Sequence, residues 1–280
     1  MKKKLVFILS SNYSGSHFLS LLLGSHSKAV HLGETKNLIK EGVNCYKCGV
    51  SNDCHLFEGI QELTTETFYP TLFDRAGDQI NLLIDTSKKT EWAINFINTQ
   101  SEYDIKIVHL IRDPRALIRR WNNKYTSLLS QLSQRRKVLK AFPKKTLQLI
   151  FSSQSNIYLY KWLKQNQKIV DFTKRFSLDT KTITYHDLTL NPEKELSTLM
   201  EWLGNTYETT QLKYWEFEHH GTQKRQYEWV KKQQTTSHID LRWKDALTKK
   251  QSKLISSNRD LRSYLEQNKL FQIEKGITKL

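Results

Sequence analysis

The sequence predicts an α/β fold: one domain over residues 1–280, with a largely parallel sheet flanked by helices. Three observations carry this expectation. Apolar strand-like runs recur at 5–9, 80–85, 105–111 and 181–185, separated by segments of helical periodicity. Two of those runs pass directly into loops rich in small hydroxyl residues or in arginine. A chain of 280 residues, 38% hydrophobic and 11% aromatic with four prolines, is long enough for a large core and has no long proline-rich linker.

The elements follow in order. Leu5-Val-Phe-Ile-Leu9 is the first core strand; after Lys2-Lys-Lys4 it imitates a signal peptide, but the apolar run breaks at Ser10. Helices are expected over 16–24, 34–41, 60–73, 89–99, 113–124, 146–175, 192–203 and 247–268. The longest is supported by Leu149, Ile150, Ile157, Leu159, Trp162, Leu163, Ile169 and Phe172 at helical spacing. Residues 43–57 form a cysteine-containing insertion, and 205–246 form a loop-rich segment expected to cover a cofactor. No run approaches the roughly 20 apolar residues needed to span a bilayer, and a cytoplasmic protein is expected.

The chemistry concentrates at two strand ends. In Asn12-Tyr-Ser-Gly-Ser-His17 the chain turns from strand to helix, aiming backbone N–H groups and a helix dipole at one spot suited to phosphate or sulfate. In Lys106-Ile-Val-His-Leu-Ile-Arg-Asp-Pro-Arg-Ala116, Arg112 and Arg115 leave a strand as guanidinium forks able to clamp a second phosphate. Taken singly, each segment is equally a well-capped helix start. The Walker A pattern is absent, since Gly15 stands alone and no lysine follows, and so is a Gly-x-Gly-x-x-Gly turn.

In combination these segments resemble the sulfotransferase family, which uses 3′-phosphoadenosine-5′-phosphosulfate (PAPS), and the resemblance implies a P-loop-like nucleotide-binding architecture. Ser14-Gly15-Ser16-His17 resembles its 5′-phosphosulfate loop, and Leu110-Ile-Arg-Asp-Pro-Arg-Ala116 its 3′-phosphate motif. Ile84-Asp-Thr-Ser-Lys88, Tyr185-His-Asp-Leu188, Asn191-Pro192 before a helix ending Trp202-Leu-Gly204, Gly221-Thr-Gln-Lys-Arg225 and Trp243-Lys244 resemble smaller family signatures in the same order. This chain departs from the pattern at three points: Tyr13 replaces a basic residue, His17 a serine or threonine, and Arg120 a serine eight residues after Arg112.

The resemblance implies transfer of a sulfuryl group from PAPS to a hydroxyl or amine by in-line displacement, leaving 3′-phosphoadenosine-5′-phosphate, with no metal needed for the chemistry. It implies cofactor contacts from Asn12, Tyr13, Ser14, Gly15, Ser16, His17, Arg112, Arg120, Tyr185, Gly221, Lys224 and Arg225. Glu34, in Gly33-Glu34-Thr35-Lys36, matches the family's general base, with His17 and His31 as alternatives. Glu34 could instead cap the next helix or pair with Lys36 or Lys40. Lys88 either faces the sulfuryl group or pairs with Asp85. The competing functions are a degenerate kinase and a non-catalytic anion-binding module.

Two features stand apart. Lys plus Arg number 44 against 28 Asp plus Glu, a formal charge of +16, without any nucleic-acid-reading motif. The densest basic stretch, Arg119 to Lys145, reads as a solvated helical face suited to a carbohydrate or other anionic acceptor. All three cysteines lie within ten residues, and Cys45, Cys48, Cys54 and His55 could hold a structural zinc, although adjacent Cys54 and His55 fit a tetrahedron awkwardly. The alternatives are packed reduced thiols or a single labile bridge.

Overall fold

Leu5 to Leu9 lose nearly all solvent contact, as a strand buried on both faces requires. This strand, β1 (Lys3–Ser10), is the centre of a five-stranded sheet in the computed structural model, which describes residues 2–41, 45, 47–48, 54–97, 103–221, 228, 234, 239–270 and 273. The other strands are β2 (Ala29–Gly33), β3 (Leu82–Lys88), β4 (Tyr103–Ile111) and β5 (Thr180–Thr184), in the order β2-β3-β1-β4-β5. Every pairing is parallel. The expected α/β class is therefore what the chain adopts.

Strand side chains alternate between faces, so β1 feeds two cores. Leu5, Phe7 and Leu9 pack with Phe68, Tyr69, Leu72 and Phe73 of α3 (Thr65–Ala76) and Phe96 of α4 (Thr90–Ile97). Val6 and Ile8 pack on the opposite face with Leu19, Leu22 and Leu23 of α1 (Ser16–Gly24) and Leu196 and Leu199 of α10 (Pro192–Trp202). A third cluster joins α5 (Pro114–Lys124), α8 (Gln154–Arg175) and the helix Arg259–Gln267 around Trp121 and Trp162. Among the described residues, no helix is long and apolar enough to cross a membrane.

Five elements differ from expectation. Strand β2 was not anticipated, because Ala29-Val-His-Leu-Gly33 is short and carries a histidine. The expected helix over 146–175 is two: α7 (Thr146–Ile150) ends where Arg135 donates to the carbonyls of Leu149, Ile150 and Ser152 at 2.7, 2.9 and 2.9 Å. Ser153 then caps α8 by accepting from the Asn156 amide. Residues 128–141 form a further helix, α6 (Leu128–Ala141), capped by Ser127. The stretch 60–73 divides into a single turn at Ile60–Glu62 and α3, which starts behind a Thr64–Thr67 capping box. Similarly, 247–268 divides into Lys249–Ser256 and Arg259–Gln267.

Candidate active site

In an open parallel sheet the crevice for ligands lies beyond the carboxyl ends of strands flanking the point where connections reverse direction. Here that point is the end of β1, between β3 and β4. The chain after β1 alternates in hand: Tyr13 (φ 73°) and Gly15 (φ 95°) are left-handed, Ser14 and Ser16 are not. Such alternation turns successive N–H groups toward a common hollow. Ser14 N–H donates to the Ser11 carbonyl at 3.2 Å and tightens the turn. Gly15 caps α1 without a side-chain acceptor, and no acidic residue lies in the first turn, so the positive pole of the helix is left open to an anion. The hydroxyls of Ser10, Ser11 and Ser14 are buried without a partner among the described residues. Leaving a buried hydroxyl unsatisfied costs about 1–3 kcal/mol, which a ligand oxygen here would recover. A Cβ on Gly15 would come within 2.5 Å of the Tyr185 ring, so the loop and α9 (Tyr185–Leu190) close on each other only through glycine.

Arg112 leaves β4 at the same hollow. Its guanidinium donates from Nη1 to the Tyr13 carbonyl at 2.9 Å and from Nη2 to Asp240 at 3.1 Å, and lies 4.1 Å from the centre of the Tyr185 ring. Trp162 Nε1 donates to the Arg112 carbonyl at 2.8 Å and pins the strand end. Arg112 and Arg242 hold the Asp240 carboxyl well below the usual carboxylate range, with the hydrogen bonds from Arg242 the larger effect. Arg115 does not join the clamp. It is 1% exposed, forms a fork with Asp113 (2.6–3.1 Å), and stacks 3.9 Å from the Trp243 ring, so it anchors the late segment instead. Arg120 is exposed, 5.6 Å from the Tyr13 ring, beside Lys124 at 5.5 Å. Asn12 and Tyr13 lie exposed on the loop.

The third component comes from the ends of β2 and β3. Both β3 pairings shift register near this end, and Lys88 is left-handed (φ 63°), which re-aims its side chain. Lys88 Nζ donates to Glu34, whose second carboxylate oxygen lies 4.0 Å from Lys36 and accepts from Asn37 at 3.3 Å. The Lys88 partner is thus Glu34 and not Asp85. Asp85 is fully buried and accepts from Thr35, from Tyr69 (2.6 Å), from Trp92 (3.2 Å) and from the Ser87 amide. Burial raises its carboxyl against those hydrogen bonds. This network ties Thr35, the first residue of α2 (Thr35–Glu41), and with it Glu34, to the end of β3.

His17, in the first turn of α1, lies within electrostatic reach of Lys88. Both its ring nitrogens are shielded from solvent, and burial, then Lys88 and His219, lower its pKa to about 3. Its ring lies 5.3 Å from His31, which shares a hydrogen bond with Ser20 and lies 5.8 Å from His219. Burial, chiefly, also holds His31 well below the ordinary histidine range.

The row ends at a separate cluster. Sγ of Cys45, Cys48 and Cys54 lies 3.6, 3.6 and 3.3 Å from Nδ1 of His220, and the four ligand atoms are all within 4.8 Å of one another. His220, not the exposed His55, is the histidine of the group; His55 packs edge-on against it at 5.2 Å. Gly221 follows His220 and its amide is directed at Cys45, so it belongs to this cluster and not to the hollow at β1. Lys224 and Arg225 lie outside the described residues. Sequence reasoning missed Asp240 and His219-His220, whereas Lys36 does lie beside Glu34 as one of its expected partners. The His-His pair was visible, but nothing local tied it to cysteines more than 160 residues earlier.

Comparison with known proteins agrees with this geometry. The chain matches the model of the sulfotransferase family over residues 6–209. Among solved structures it is similar to the sulfotransferase domain from the curacin biosynthetic pathway, with 19% identity, 91% of this chain and 96% of that one covered, and a TM-score of 0.54. It is also similar to the sulfotransferase domain from the Synechococcus PCC 7002 olefin synthase, with 17% identity, 88% and 94% covered, and a TM-score of 0.50. At such identities the likeness is one of fold. No curated protein matches by sequence.

Proposed function

Since the chain belongs to the sulfotransferase family, we propose that it moves a sulfuryl group from PAPS to an acceptor hydroxyl or amine. The observation that carries the donor assignment is the joined pair of anion-binding features, the uncapped α1 with its buried serine hydroxyls and Arg112, linked through the Tyr13 carbonyl. Bound PAPS supplies the transferable sulfuryl group and a 3′-phosphate.

The chain's own residues divide the work. Amides at the start of α1 and the Ser14 hydroxyl hold the 5′ end, where negative charge grows on the bridging oxygen during transfer. Arg112 holds the 3′-phosphate, with Tyr185 as its backstop and Arg120 as a longer, exposed supplement. Lys88 stabilises the transferring group, and Glu34, kept in place by Thr35 and the Asp85 network, takes the proton from the acceptor oxygen or nitrogen. His17 and His31, held neutral and poorly basic, suit hydrogen-bonding roles better than proton abstraction.

An anionic or sugar-like acceptor is favoured by the basic surface of α5 and α6. Beside it Lys161 of α8, stacked on Trp121 and Tyr125 at 4.5 and 4.4 Å, is pushed down to about 7, first by burial and then by Lys124, Lys137 and Lys89. The gathered lysines of this surface attract anions.

Calorimetry tests the donor site. 3′-Phosphoadenosine-5′-phosphate binds and ATP binds at least about tenfold more weakly, the difference expected for one charge-assisted contact; equal affinity points to the kinase reading. Incubation with labelled PAPS and a panel of acceptors tests turnover. Label entering only a neutral, hydrophobic alcohol overturns the acceptor preference and leaves the reaction class intact, whereas binding without transfer to any acceptor supports the non-catalytic reading.

A further inference from the structure

We propose that Cys45, Cys48, Cys54 and His220 form a structural zinc site that fastens the cysteine loop to the segment at His220. All three cysteines are free, and their sulfurs converge on a single imidazole nitrogen. A tetrahedral Zn(II) with Zn–S near 2.3 Å and Zn–N near 2.0–2.1 Å requires S···N separations of about 3.6 Å. The three separations here are 3.6, 3.6 and 3.3 Å. Disulfide pairing would use two sulfurs and leave the third, with the imidazole, unexplained.

The surroundings fit a metal–thiolate centre. Amides of Cys48 and Gly221 are directed at the Cys45 sulfur, and those of Leu56 and Phe57 at the Cys54 sulfur, the donors that thiolates need around a metal. Cys45 and Cys54 are fully buried in the core cluster beside Phe57 and Leu56, while Cys48 and His220 are half-buried, so two of the four ligands are anchored in the core. Soft thiolates with one imidazole in tetrahedral array select Zn(II) over oxygen-preferring cations. All four positions are filled by protein, so no site is open to a water or substrate and the role is structural. On binding, three thiols release their protons to solvent and the centre carries a net charge of −1. An exposed ion pair between Lys47 and Glu218 joins the same two segments.

The zinc also has a defined neighbour. His219 packs on His31, and His31 on His17 of the phosphate-binding loop, so the metal fixes one end of a row of rings whose other end lies in the candidate active site.

The test is metal analysis of the full chain purified without chelator. One zinc per chain is expected by elemental mass spectrometry, and Co(II) replacement gives the intense visible bands and sulfur-to-metal charge-transfer absorption of a tetrahedral thiolate site. Cys48→Ser and His220→Ala lose the metal, while His55→Ala keeps it in full. Should the first two fold poorly, chelation of the native chain serves instead: the melting temperature falls and returns on adding Zn(II). The proposal is overturned if the native chain holds below about a tenth of an equivalent and takes up none on titration, if a bridge among the cysteines is found in metal-free protein, or if His55→Ala is the variant that loses zinc. None of these readouts depends on sulfuryl transfer.

Discussion

The hollow after β1 and the cysteine–histidine cluster lie at two ends of one row of histidine rings, yet the chain builds them differently. At the hollow, each component is short and local: a loop of alternating hand after β1, an arginine at the end of β4, and a left-handed lysine at the end of β3. Parallel strands bring their carboxyl ends together, so each segment needs only to sit at a strand end to reach the site. The cluster gathers three ligands from one loop and the fourth from 166 to 175 residues away. The hollow is therefore specified by backbone conformation, and the cluster by tertiary packing. Damage to one should leave the other's signature readout intact.

The largest effect is expected within the hollow. Glu34→Gln lowers turnover by about 10²–10⁴-fold if Glu34 is the base, while nucleotide affinity and zinc content stay unchanged. If Glu34 only balances Lys88, the removed charge tightens nucleotide binding and turnover moves little. Steady-state rates alongside calorimetry separate the two.

Next is Arg112→Ala, which removes a charge-assisted contact worth about 1.5–3 kcal/mol, tenfold to a hundredfold in nucleotide affinity. The same variant frees Asp240 from one of its two arginines without touching the cysteines. Unchanged affinity in the variant would remove Arg112 from the clamp, and lost zinc would show that the regions are not separable.

Acid sharpens the comparison through the histidines buried outside the cluster. His17 and His109 are held near 3 and 4 by burial, against 6.5 in the unfolded chain. Between those values the unfolded chain binds protons that the folded chain refuses. Stability is therefore full above about pH 6.5 and falls as the pH drops toward 4, by about 1.4 kcal/mol per pH unit for each group. Denaturant midpoints at pH 7 and pH 5 measure the slope, and His17→Gln should reduce it by about one proton. A midpoint that does not move with pH would mean that these imidazoles are not buried neutral.

The smallest effect is at the rim. Arg120 is exposed and lies 5.6 Å from the Tyr13 ring, so Arg120→Ala should cost less than about 1 kcal/mol in nucleotide affinity at moderate salt. A loss equal to that of Arg112→Ala, persisting at high salt, would move Arg120 into the clamp itself.

The sequence by itself determined the sheet class, four of five strands, the loop at Ser14-Gly15-Ser16 and the position of Arg112, because these depend on period-two burial, on turn conformations and on which residue ends a strand. The residue pattern alone offered both Arg112 and Arg115 after β4, and the family resemblance singled out Arg112; folding places Asp113 and Trp243 around Arg115. The edge strand β2, with five residues, is stabilised by pairing with β3 rather than by its own pattern. Likewise Lys88 had two carboxylates to choose from, and the register shift at the end of β3 gave it Glu34 while Asp85 turned inward to Thr35, Tyr69 and Trp92. His220 for His55 follows the same rule. Adjacent residues cannot easily aim two side chains at one tetrahedral centre, so the fourth partner had to come from a distant segment that only the packed core delivers.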